Sequence, residues 1–226
     1  MSLKLRFELP VKLYLKDPQS SEYGRRLLDN AIRLIDDIGF ESFTFRKLAV
    51  KMSSSEVSIY RYFENKHLLL VYLNCWYCEW VTYLIDIQTM NVKDSKEKLR
   101  KAIHCMIHAS SESKLTEYIN EELLFQVIMN EGSKTYHISR VSEENKNGFF
   151  LPYKELVGRL VLIIEEINPK FKYAKSLGST LFEMVNNQLY YAEHLPRLTS
   201  LNKKKKSAEL EVMVNHFANA IVEAET

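Results

Sequence analysis

Glycine and proline are scarce in this chain, six and five among 226 residues, which argues against a turn-rich architecture and for long uninterrupted elements. Cysteine is scarcer still. Cys75, Cys78 and Cys105 make no even disulfide framework, in keeping with a reducing compartment. No apolar stretch reads as long enough to span a membrane, and the N-terminal residues lack the basic region and hydrophobic core of a signal peptide. The expected location is therefore the cytoplasm, with no membrane partner. Catalytic signatures are missing as well: there is no glycine-rich phosphate loop, no nucleophile elbow and no acidic pair in an interpretable context. No catalytic residue, cofactor or resident metal is expected.

What the chain does hold is helical periodicity. Its 46% hydrophobic content suffices for one sizeable core or two modest ones. Asp17-Pro18 reads as a helix start, and the first helix runs toward Ile38. From Leu68 to Ile87 the apolar residues continue at helical spacing as one long helix, broken near Asn91. Further patterns lie at 94–111, 115–130, 152–167, 173–194 and 205–224, separated at Gly132, the polar stretch 143–148, Pro169 and Pro196. Before all of these, Leu3, Leu5, Phe7 and Leu9, then Val11, Leu13 and Leu15, alternate with period two around Pro10, which predicts an extended arm. The reading is an all-α chain of about nine helices in three parts: an arm at 1–17, a three-helix segment at 18–66 and a helical body at 67–226.

Residues 44–69 carry the most specific signal. Phe45, Leu48 and Ala49 share a helical face, Met52 closes that helix, and three serines favour a turn. Ser55 is a good N-cap for the next segment. That segment, 56–63, is expected to bury Val57, Phe63 and either Ile59 or Tyr60, leaving Glu56, Ser58, Arg61 and Tyr62 outward as in an element laid in a major groove. Asn65 then caps the long helix. Gly39 sits where the first helix must end, a position that favours a residue free to take positive φ.

Gly39-Phe40, Thr44, Arg46-Lys47-Leu48-Ala49, Ser55 to Ile59, Tyr60-Arg61-Tyr62-Phe63 and Lys66 together resemble the N-terminal domain of the TetR/AcrR family of transcriptional regulators, over about a fifth of the chain. The resemblance implies a helix-turn-helix domain bound to double-stranded DNA, a helical effector-binding and dimerisation body, and a homodimer reading a palindromic operator. The DNA-facing set it suggests is Thr44, Arg46, Ser55, Glu56, Ser58, Tyr60, Arg61, Tyr62 and Lys66. Thr44 is at once a plausible N-cap and a phosphate contact, and of the two tyrosines Tyr60 reads as the one in the core. Two departures stand out. Met52-Ser53-Ser54 replaces the family's usual Ala-Gly-Val, so a looser or differently shaped turn is expected, and Glu56 puts a carboxylate on the recognition helix, where the helix dipole favours it or a cytosine amino group meets it. These departures keep a second reading open, a degenerate headpiece on a dimeric ligand-binding or protein-interaction module.

Charge does not decide between the two. The net charge is +2, and the first 75 residues hold twelve Lys and Arg against nine Asp and Glu, so a dimer would be needed to collect enough phosphate contacts.

In the body, Leu181, Met184, Val185 and Leu189, with Val214, Phe217 and Ile221, lie on apolar faces suited to a helix-pair dimer interface. Trp76, Trp80, Tyr83, Tyr118, Phe125, Tyr153 and Tyr190 are candidate walls of a pocket for an apolar or amphipathic small-molecule effector. Lys203 to Lys206 reads as a solvated loop. Cys75 and Cys78, and His104 and His108, each share a helix face, but neither pair has a complete ligand set in sequence, so a structural role is expected for both.

Overall fold

The computed structural model describes residues 5–110, 116 and 118–223, and among them the chain forms ten α-helices and no strand. They are α1 (Glu22–Ser42), α2 (Phe45–Lys51), α3 (Glu56–Tyr60), α4 (Lys66–Thr89), α5 (Ser95–His108), α6 (Glu121–Glu131), α7 (Val141–Lys146), α8 (Leu151–Ile167), α9 (Ala174–His194) and α10 (Lys206–Glu223). The helix beyond the expected nine is α7. Six residues in a polar stretch are too few to show a helical period. Leu3 of the alternating pattern, Leu115 and Glu117 at the start of the 115–130 pattern, and Ala224 at the end of the last one lie outside the described residues.

Two compact units divide the chain: Met1–Tyr77 with Ser110–Pro152, and Cys78–Ala109 with Tyr153–Thr226. The division at 1–17, 18–66 and 67–226 is one of role, whereas compactness groups α6, α7 and the first half of α4 with the headpiece.

In the first unit, α1 begins later than Asp17-Pro18 suggested. Asp17 caps only a short 3-10 turn, Pro18–Ser20, and extended Ser21 then caps α1, its hydroxyl accepting from Gly24 N–H at 3.1 Å. Gly24 is required there, because a Cβ would stand 2.3 Å from the Pro18 carbonyl oxygen. Leu27, Leu28, Ala31, Ile32, Leu34 and Ile35 are buried along one stripe, and Arg26, Arg33, Asp36 and Asp37 face solvent. At Gly39, φ is +72°, and the helix kinks before its last turn.

The period-two arm holds only as far as Pro10. Phe7 and Leu9 are buried between exposed Arg6 and Glu8, but a 3-10 turn at Val11–Leu13 then leaves Val11 and Leu15 exposed and buries Leu13. Its pairing partner is a side chain. The Gln19 amide donates to the Phe7 carbonyl at 2.8 Å and accepts from the Phe7 N–H at 3.1 Å, satisfying the extended backbone as a strand would.

In the second unit α10 packs against both α5 and α9, and α5 also meets α9. Leu181, Val185 and Leu189 of α9 and Val214 of α10 are closed inside this packing, with exposures of 1% or less. This corrects their assignment to a dimer face. They are the core of the unit, and Met184, Phe217 and Ile221 alone of that set retain accessible surface.

A second correction concerns α4. By length and composition Lys66–Thr89 would suffice to cross a membrane, but 83% of its apolar window is buried inside the protein, as in a core helix.

Candidate nucleic-acid interface

The turn between α2 and α3 closes a complete Schellman motif. Ser54 N–H donates to the Ala49 carbonyl (2.9 Å) and Ser53 N–H to that of Val50 (3.1 Å), with Ser53 in the left-handed region at φ +51°. Serine thus adopts the conformation a glycine usually supplies, and the turn is tight, where the sequence suggested a looser one. The Tyr23 and Ser54 hydroxyls share a 2.8 Å hydrogen bond that ties the turn to α1.

Both helices are capped as expected. Thr44 Oγ1 accepts from Lys47 N–H at 3.2 Å, and Ser55 Oγ accepts from Ser58 N–H at 3.2 Å while pairing with the Ser58 hydroxyl at 2.8 Å. Asn65 Oδ1 accepts from Leu68 N–H at 2.9 Å and so caps α4. These caps orient α3 so that Val57, Tyr60 and Arg61 are exposed, Glu56 and Ser58 are half-buried, and Ile59 is fully buried. Arg46 and Thr44 are exposed at the start of α2.

Four expected positions change. Val57 is 66% exposed, so it presents its methyl groups outward, where an apolar side chain meets a thymine methyl. The two tyrosines exchange roles. Tyr60 is 46% exposed with its edge against Phe45, whereas Tyr62 is buried, stacked on Tyr23 and bonded through its hydroxyl to Ser21 at 2.8 Å. Lys66 is committed inward. Its ammonium donates to the carbonyls of Phe40 (3.0 Å), Glu41 (3.2 Å) and Phe43 (3.1 Å), using all three protons to close the end of α1. Glu131 Oε1 adds a bond from Phe40 N–H at 2.9 Å at the same kink.

Lys16 is a cation the motif did not point to. Leu15 N–H donates to the Tyr62 carbonyl at 2.8 Å, and the exposed Lys16 ammonium lies 5.3 Å from the centre of the Tyr62 ring. The arm therefore brings one more positive charge beside α3. The only sequence signal for it was the arm's alternation, which says nothing of where the arm docks.

The seven aromatic residues named as pocket walls are divided between the two units. In the first unit, Trp76 takes the edge of Phe7, Tyr118 donates to Gln19 Oε1 at 2.8 Å, and Phe125 tilts against Tyr77. These three hold the arm and the core. In the second, Trp80 stacks on Tyr83 and donates to the Ala109 carbonyl at 2.9 Å, Tyr153 packs on Phe182 and donates to Glu183, and Tyr190 lies against His194. Glu79, in the same unit, is pushed up to about 7 by burial, with the Glu155 charge adding to it. An open groove of about 1050 Å³ in this unit is lined by mostly charged and polar residues of α5 and α10, with Ala208 and Val212 among them, and by none of the seven aromatics.

The remaining motifs settle simply. Lys203 and Lys206 both pair with Glu193, Lys203 at 2.7 Å, and hold its carboxyl at about 2, so the lysine run is partly an anchor for the turn before α10. All three cysteines are buried. Cys75 donates to the Phe149 carbonyl, and burial pushes Cys105 up to about 11, away from thiolate chemistry.

A capped helix-turn-helix with an exposed second helix, on a chain that is otherwise helical, defines the class of helix-turn-helix proteins with a helical body. Residues 27–73 match the family of bacterial regulatory proteins described as the tetR family. No curated protein matches the chain. Among solved structures the fold is similar to AibR in complex with isovaleryl coenzyme A and operator DNA (15% identity, TM-score 0.57, covering 84% of this chain and 96% of that one). It is also similar to the fatty acid degradation regulator FadR from Bacillus halodurans (17%, 0.60, 88% and 93%) and to superantigen PfiT (15%, 0.57, 88% and 97%). At these identities the likeness is one of fold.

Proposed function

We propose that this chain is a ligand-responsive transcriptional regulator, a repressor that binds a palindromic operator as a homodimer through α2 and α3. The observation that carries the reading is the intact headpiece. The Schellman turn, the Thr44 and Ser55 caps and the exposed Val57, Tyr60 and Arg61 make a rigid reading helix, and such rigidity weighs against a degenerate headpiece. Thr44, Arg46 and Lys16 supply phosphate contacts at its edges, and Arg61 is the side chain free to reach a guanine or a phosphate. A five-residue helix carries few contacts, so two copies about 34–36 Å apart are needed for affinity.

The effector is an apolar or amphipathic small molecule held by the helical body, residues 67–226. Acyl thioesters are the class to test first, since AibR was solved with isovaleryl coenzyme A and FadR is a regulator of fatty acid degradation. Its binding would favour a conformation in which α4 shifts at Lys66, where the end of α1 is held, and so change the spacing of the two reading helices. Selection of bound fragments from a genomic library tests the reading. Enrichment of an inverted repeat is expected, with affinity lowered on the order of tenfold or more in Arg61→Ala. Retention of no sequence, even at low salt, overturns it.

A further inference from the structure

α5 and α10 bring together a set of donors that the sequence shows only in part. His104 and His108, one turn apart on α5, lie with ring centroids 4.3 Å apart, and Glu211 of α10 faces both. A single carboxylate oxygen, Glu211 Oε2, is 3.0 Å from His104 Nδ1 and 3.2 Å from His108 Nε2, and one donor atom from each residue lies within 4.8 Å of the others. We propose that His104, His108 and Glu211 form a binding site for a divalent cation of the zinc class, which would tie α5 to α10.

The donor chemistry selects the ion. Two imidazole nitrogens and one carboxylate oxygen suit zinc and its late first-row neighbours, whereas magnesium and calcium take oxygen ligands. The geometry fits too. Bonds of about 2.0–2.2 Å to a tetrahedral ion place ligand atoms roughly 3.4 Å apart, so each ring-to-carboxylate distance needs to open by only a few tenths of an ångström, and the two ring nitrogens lie within 4.8 Å of each other. The side chains are partly exposed, at 51%, 36% and 21% in sequence order, so an ion has access from solvent and a fourth position is left for water or a further ligand.

The surrounding charges leave the carboxylate available. Arg100, the nearest cation, is held by both oxygens of Glu97 and stays 3.9 Å from Glu211 Oε1, the oxygen the histidines do not use. The alternative is a structural cluster in which the histidines only hydrogen-bond to Glu211.

Zinc alone is the probe, titrated into full-length protein purified without a histidine tag and competed against a chromophoric chelator. One equivalent per chain is expected, with affinity weakened about tenfold or more in His104→Ala and in Glu211→Gln. His216→Ala, in the same groove, should bind as the parent does, and melting curves of the metal-free variants report that each is folded. Cobalt substitution should give visible bands without thiolate charge transfer. Unchanged affinity in both variants, no binding at micromolar zinc, or a thiolate band marking the cysteines as ligands would each overturn the site.

Discussion

Ser53 stands at φ +51° in the turn between the two headpiece helices, and its side chain is exposed. A left-handed conformation costs an L-residue about 1–2 kcal/mol, part of which a glycine gives back through its freer unfolded chain. Ser53→Gly should therefore stabilise the protein by a net of about 0.5–1 kcal/mol in denaturant unfolding, with operator binding retained. A loss of stability would mean that the serine, and not the left-handed backbone, holds the turn. The position also shows why a residue-by-residue match to a family pattern misleads. Serine in place of glycine suggested a looser turn, but the two Schellman hydrogen bonds are backbone to backbone and do not depend on the side chain.

At the level of the element, the join between α1 and α4 depends on Lys66. Its three bonds to Phe40, Glu41 and Phe43 satisfy carbonyls at the C-terminal end of α1, of which Phe40's also accepts from Phe43 N–H at 3.3 Å. Hydrogen bonds to charged groups contribute about 1.5–3 kcal/mol, so Lys66→Met should lower stability by about 2–3 kcal/mol. Differential scanning calorimetry would show this as a lower melting temperature, and operator affinity should recover on cooling below the transition. A variant with unchanged melting but weak DNA binding would return Lys66 to the phosphate-contacting set. Helix α3 makes the complementary point. Periodicity over so few residues could not decide which side was inward, and the choice between Tyr60 and Tyr62 fell to Ser21 and Tyr23, residues some forty positions away that bond and stack on Tyr62.

For the whole molecule, the proposed function requires two copies. The apolar surface left accessible on α10 includes Val212, Phe217 and Ile221, exposed at 72%, 42% and 43%, with Met184 of α9 half-buried. Paired with a symmetry mate, such a surface would close a two-fold interface. Phe217→Asp combined with Ile221→Asp should yield a monomer in sedimentation velocity, with helicity intact and operator binding lost. A dimer that survives both substitutions would place the interface elsewhere.

Local chemistry was legible from the chain alone: the segments that form every helix but the six-residue α7, where α2, α3 and α4 begin, and that residues 44–69 form a headpiece, because caps and periodicity act within a few residues of themselves. Tertiary structure decided what depends on distant partners. It turned Tyr62 and Lys66 inward, closed four of the seven dimer candidates into a core, divided the aromatic set between two units and brought Glu211 to His104 and His108. A helical face says only that it is apolar or polar, and which neighbour covers it is set by packing between helices far apart in sequence.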